Sequence, residues 1–223
     1  MMDWPFYLDS VFPALNRGLG VSLQLIVPSA LLGLAGGVLL GSLRVFGSPR
    51  LRRAGDMYTA VLRGVPLVIQ LFILYYVLPK IGLYLDGFSA AVLGFILCSA
   101  AYHSEYVRGA FLSIRQGQLK AAQALGFSPL QSIRFILLPQ AMRLALPGCG
   151  NEIVYLIKYS SLAYMTTCVE LTGEAKVLAS RHWRYTEIFL AAGLYYLCLT
   201  SLASFILHKI EARAHIPGFG RQK

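Results

Sequence analysis

The run LGVSLQLIVPSALLGLAGGVLLGSL, residues 19–43, contains no charged side chain. At about 1.5 Å of rise per residue, roughly 20 apolar residues cross ~30 Å of hydrocarbon, so this stretch can span a bilayer as one helix. A second uncharged run, residues 188–207, meets the same requirement. The 223-residue chain is 57% hydrophobic and only 13% charged, whereas a typical soluble domain is about a quarter charged. So few charges cannot clothe a water-facing surface. The sequence is that of an all-α integral membrane protein, read as a single transmembrane domain over residues 1–223.

Within the first run, Ser29, Gly33, Gly37 and Gly41 recur every four residues, which places them on one helical face and lets a neighbouring helix approach closely. Gly36 widens that strip, and Pro28 predicts a local bend. Hydropathy read outward gives about five spans, near residues 19–43, 57–79, 87–112, 135–165 and 188–210. Residues 1–18, with Pro5, Pro13, Asp3, Asp9, Trp4, Phe6 and Tyr7, read as an interfacial segment ahead of the first span.

Arg44, Arg50, Arg52 and Arg53 lie between the first two spans, and Arg108, Arg115, Lys120 and Arg134 surround the connection from third to fourth. The connection at 79–87 has only Lys80 and Asp86. The positive-inside rule then puts the arginine-rich connections in the cytoplasm, together with the tail carrying Lys209, Arg213, Arg221 and Lys223. The N-terminus falls outside, as does the mixed-charge connection at 170–187, where Glu170, Glu174 and Glu187 offset Lys176, Arg181 and Arg184. The net charge of +10 and pI near 9.6 thus sit at membrane edges. Contact with anionic headgroups, at roughly 1 kcal/mol per well-placed Lys or Arg, accounts for them, and nucleic acid is not expected as a partner. Cys98, Cys149, Cys168 and Cys198 form no C-x-x-C pair and read as free, buried thiols. His103, His182, His208 and His215 have no ligand-like spacing, so no metal site is expected.

The cytoplasmic connection at about 113–136 is the most informative loop. From Gly117 the chain runs GQLKAAQALGFSPLQSIRFILLPQAMRLALP, too polar to span and too ordered in pattern for a slack linker. Residues 118–125 predict a short helix that Gly126 ends, after which Ser128-Pro129 restarts the chain as an N-cap and first-turn proline. Leu119, Ala122, Leu125 and Phe127 can face inward or outward. Such a helix either docks in another protein's groove or rests on the membrane surface.

These residues resemble the permease subunits of ATP-binding-cassette (ABC) importers, whose signature is E-A-A, three residues, G, nine residues, I-x-L-P. Here Ala121-Ala122, Gly126, Ile136, Leu138 and Pro139 stand at that spacing, with Lys120 in place of the acidic residue. Residues 63–72, RGVPLVIQLF, are similar to the R-G-x-P-L-x-x-Q-L-F stretch of the polar amino-acid uptake branch. Asn151-Glu152 through Lys158-Tyr159-Ser160-Ser161-Leu162-Ala163 is similar to that branch's N-E/S-x-x-x-x-x-K-D-T-S-L-A segment, with Tyr159 for Asp and Ser160 for Thr.

The resemblance implies a coupling helix, carried by Lys120, Ala121, Ala122, Leu125, Gly126, Phe127, Ser128 and Pro129, that fits a cleft on an ABC ATPase subunit. It further implies a translocation pathway shared with a second permease subunit, identical or homologous, in a bacterial cytoplasmic (inner) membrane. An ATPase dimer would hold ATP and Mg, and an extracytoplasmic solute-binding protein would deliver a basic or zwitterionic polar amino acid to the connections at 79–87 and 170–187. Alternating access would follow from movement of the coupling helix. The chain itself has no G-x-x-x-x-G-K-[ST] phosphate loop, so it is expected to bind no cofactor directly and to carry no catalytic residue.

Charged groups at membrane depth cost several kcal/mol unless paired or wet, which singles out Glu105, Glu152 and Lys158. Glu105 could hold a substrate ammonium or guanidinium, or pair with Lys158 or Arg108. Glu152 and Lys158 lie about 240° apart around a straight helix and do not pair directly. Gln70 and Asn151 suit either zwitterion recognition or interhelical hydrogen bonding, and Ser161 completes the candidate pathway. Tyr155, Tyr159 and Tyr164 read as packing or interfacial residues. The other readings are an ATP-independent secondary carrier or channel, and an intramembrane hydrolase, for which no G-x-S-x-G context exists.

Overall fold

The computed structural model describes residues 4–114 and 117–214, and among them every regular element is helical. Asp3, Arg115, His215, Arg221 and Lys223, named above, lie outside the described residues. The order is α1 (Trp4–Phe46), α2 (Pro49–Gly64), α3 (Leu67–Ile81), α4 (Gly87–Ser113), α5 (Gly117–Ala124), α6 (Leu138–Tyr159), α7 (Leu171–His182) and α8 (Tyr185–Ala214).

Among the described residues α1, α4 and α8 are each long and apolar enough to cross a membrane, and they carry the first, third and fifth expected spans. The second is not one straight helix. Pro66 has no N–H for the carbonyl of Leu62 and forces Val65 into an extended conformation (φ −97°, ψ 131°), as residues before proline prefer. The chain turns by 102° between α2 and α3. The fourth expected span also differs. Its helix α6 carries Arg143, Glu152 and Lys158, ends at Tyr159, and gives way to a 3-10 turn over Ser160–Thr166. Residues 1–18 are not a separate interfacial segment where they are described: the helix already runs from Trp4, and Val11, Ala14 and Leu15 pack against α7 and α8. Pro28 lies inside α1 without ending it.

The small-residue face of α1 lies along α4. A Cβ added at Gly33 would come 2.7 Å from the Ser99 hydroxyl, one at Gly37 would overlap the His103 Cβ, and one at Gly41 would lie 3.0 Å from Val107. Apolar clusters are layered along this seam. Leu171, Ala175 and Ile188 close one end, Leu25, Phe95 and Leu156 fill the middle, and Val107, Phe111 and Ala141 close the other. Helix α8 instead leaves Leu190, Leu194, Leu197, Leu202 and Phe205 exposed, a surface that hydrocarbon solvates as well as another leucine does.

Two carboxylates cap helices. Asp86 starts α4, accepting from the N–H groups of Phe88 (3.0 Å) and Ser89 (3.2 Å), and the hydrogen bonding to Ser89 holds its pKa low. Glu170 starts α7 in a fully buried position, accepting from Thr172 N (2.9 Å), Gly173 N (3.0 Å) and the Tyr196 hydroxyl (2.8 Å). Burial pushes its pKa up despite these donors. The connection expected at 170–187 thus contains a packed helix, α7. Cys98, Cys149 and Cys168 are free and buried as expected, whereas Cys198 is free but exposed.

Candidate functional site

The segment 117–131 is built by two local signals. At its C-terminal end Gly126 adopts φ +85°, the left-handed conformation that costs glycine least. Gly126 N donates to Gln123 O (3.0 Å) and Phe127 N to Ala122 O (3.1 Å), the paired bonds that close a helix at such a glycine. Ser128 then opens the next turn. Its hydroxyl accepts from Gln131 N (3.3 Å) while the Gln131 side chain accepts from Ser128 N (2.9 Å), with Pro129 in the first turn. Ala122 is 2% exposed and Leu119 packs against the cluster of Phe111 and Leu137. Leu125 (78%), Leu130 (74%) and Phe127 face outward, as do Lys120 and Ala121. A helix–turn–helix corner, held to the bundle by Ala122 and Leu119, thus presents apolar side chains away from the chain.

The second feature lies at the α2–α3 bend. A cavity of about 400 Å³ is lined by residues 62–68 at the bend, by Cys98 and Tyr102 of α4, and by Tyr159 and Leu162, a size within the range of small-molecule sites. Gln70 holds the bend from behind. Its Nε2 donates to Leu62 O (2.7 Å), the carbonyl left without a donor by Pro66, and to Val65 O (2.8 Å). Arg63, in the last turn of α2, lays its guanidinium over the Tyr102 ring at 5.2 Å from the centroid.

The six residues expected along a pathway fall in different places, and none is among the cavity's lining. Gln70 fastens the bend. Glu105 is held by Arg44 (2.7 Å), Arg108 (3.1 Å) and Arg63 (3.5 Å), so of its two expected ion-pair partners Arg108 is present and Lys158 is not. Lys158 instead sits over the Tyr155 ring at 4.6 Å, and that ring stacks on Tyr159. Asn151 is exposed, and Ser161 donates to the Lys158 carbonyl (2.7 Å). Glu152, on the same helix as Lys158, is buried at 2% exposure, with no hydrogen bond or ion pair among the described residues. Sequence reading missed Arg63 and Tyr102 and took Tyr159 for a packing or interfacial residue. The signal available was Arg63-Gly64-Val65-Pro66 inside an apolar run, which marks a helix break with a cation at the corner.

The family described as binding-protein-dependent transport system inner membrane components matches residues 33–216. The chain belongs to this family. The permease is 37% identical over 202 residues to the probable amino-acid ABC transporter permease protein YckA of Bacillus subtilis, covering 91% of this chain and 89% of that protein. It is 36% identical over 220 residues to the glutamine transport system permease protein GlnP of Escherichia coli, covering 96% and 98%. The crystal structure of an amino acid ABC transporter with histidines superposes with a TM-score of 0.86 at 27% identity, over 96% of the permease and 99% of that chain. As an inner-membrane component the permease needs what its three long apolar helices supply. Gly126, at positive φ, closes the corner at 117–131.

Proposed function

We propose that this permease is the membrane subunit of an ABC importer for a polar, zwitterionic or basic amino acid, and that ATP, with Mg, is bound and hydrolysed on a separate ATPase dimer. The observation that carries this reading is the corner at 117–131, which presents Leu125, Phe127 and Leu130 outward, an apolar surface suited to another protein's groove. The permease domain comprises residues 1–223, with the N-terminus outside, the coupling corner in the cytoplasm and the tail inside. A second permease subunit, identical or homologous, completes the pathway, and an extracytoplasmic solute-binding protein delivers the amino acid.

The pathway follows the exposed side of α6 and the adjoining bend. Glu152, buried within electrostatic reach of Arg63 and with no hydrogen bond or ion pair among the described residues, is the acidic group available to a substrate cation, and Asn151, Lys158 and Ser161 line the approach. Gln70 and Glu105 act one layer behind, fixing the bend and its arginine. The test is uptake by the purified complex in proteoliposomes, screening the 20 amino acids with ATP enclosed. ATP-dependent accumulation of one or a few amino acids is expected. Uptake that follows an ion gradient and needs no ATPase would overturn the reading in favour of a secondary carrier.

A further inference from the structure

We infer that the cavity at the α2–α3 bend is a carboxylate site, with Arg63 as the residue that grips the anion and Glu105 as the residue that holds Arg63 when the site is empty. The inference rests on the amino-acid reading above, since an amino acid brings a carboxylate to the cavity whatever its side chain.

The charges carry the argument. Arg44, Arg63 and Arg108 all reach Glu105, and Arg44 also reaches Asp56 at 2.8 Å. The buried Glu152 carboxyl also acts on Arg63, so Arg63 is set apart not by a surplus of charge but by how loosely Glu105 holds it. Arg44 is committed: its side chain is buried, and it binds Asp56, Glu105 and the Ser104 hydroxyl (3.1 Å). Arg108 grips Glu105 through both Nε (3.3 Å) and Nη2 (3.1 Å). Arg63 makes the longest contact, 3.5 Å, keeps its side chain 42% exposed, and among the three is the one lining the cavity. It can leave Glu105 without stranding that carboxylate, which keeps Arg44 and Arg108.

The surroundings suit the exchange. The guanidinium lies over the Tyr102 ring, and a planar fork binds a carboxylate through two parallel hydrogen bonds. Tyr102 and Glu105 are three residues apart on α4, so Arg63 spans one turn of that helix, with the cavity at the ring end and Glu105 at the other. The break at Gly64-Val65-Pro66 ends α2 just after Arg63, which is why the arginine sits at a corner and not along a continuous span.

The experiment uses the permease–ATPase complex in proteoliposomes and the amino acid taken up best, in competition with the same compound amidated at its α-carboxyl. Wild type should prefer the free acid. Arg63→Gln should raise the half-saturation concentration roughly 10- to 100-fold, the worth of a hydrogen bond to a charged group, and should erase the preference over the amide. Arg63→Lys, which keeps the charge and loses the fork, should fall between. Glu105→Gln should lower half-saturation, because it frees Arg63 and removes a competing carboxylate. This variant also decides the matter if Arg63→Gln does not assemble, since an unchanged or raised value in Glu105→Gln overturns the proposal. Retention of the acid-over-amide preference in Arg63→Gln also overturns it, while leaving the import reading intact. Failure of wild type to take up any amino acid overturns both.

Discussion

Replacing Gly126 with valine separates the role of the coupling corner from that of the membrane bundle. Gly126 is at φ +85°, and nothing lies within 4 Å of the position a Cβ would take. The cost is therefore one of backbone conformation and not of collision, about 1–2 kcal/mol for an L-residue forced into the left-handed region. Valine, branched at Cβ, belongs at the upper end of that range or beyond it. The local structure can escape the strain by releasing two hydrogen bonds, Gly126 N to Gln123 O and Phe127 N to Ala122 O. An eight-residue helix such as α5 has little stability of its own to resist this. A penalty of 1–2 kcal/mol lowers the population of the formed corner by roughly 5- to 30-fold. Because nothing packs against position 126 itself, the bundle should unfold at a temperature close to that of wild type in detergent. The assay is co-purification of the ATPase subunit on a tagged permease, with ATP-dependent uptake alongside. We expect Gly126→Val to lose both, Gly126→Ala to lose less, and Gly126→Asn, whose side chain tolerates left-handed geometry, to retain most. Wild-type ATPase recovery with Gly126→Val would refute the reasoning, since the corner's shape would then not be what the partner reads.

Two further predictions concern the bundle. Gly37→Ala places a methyl group against His103 and should destabilise the permease by about 1–3 kcal/mol through overpacking, read as a lower unfolding temperature, whereas Gly20→Ala, which meets nothing within 4 Å, should match or exceed wild type. Gln70→Leu keeps the bulk but strips the carbonyls of Leu62 and Val65 of their donor; at about 1–3 kcal/mol for an unsatisfied buried group, it should lower both unfolding temperature and uptake, and wild-type values for both would mean that Pro66 alone sets the bend.

The parts of this structure that were legible in the sequence are those that one segment specifies by itself. The uncharged runs became α1 and α8, the four-residue ladder from Ser29 to Gly41 became the α1 seam, and the glycine and Ser-Pro signals of 117–131 became the coupling corner with its caps in place. Hydropathy averaging concealed the bend, because Gly64-Val65-Pro66 sits in apolar surroundings and an averaging window senses composition, not hydrogen bonding. The site was harder still, because its charges arrive from separate helices: Arg44 pairs with Glu105 across 61 positions, and Arg63 joins them from a third element. Reading each segment alone left Glu105 as a lone carboxylate available to a substrate cation. Assembled, it is held by three arginines, Arg44, Arg63 and Arg108. Acidic residues counted along the sequence pointed to a cation-binding pathway, while the cavity at the bend is lined by an arginine that reaches Glu105 only after α2 and α4 have packed.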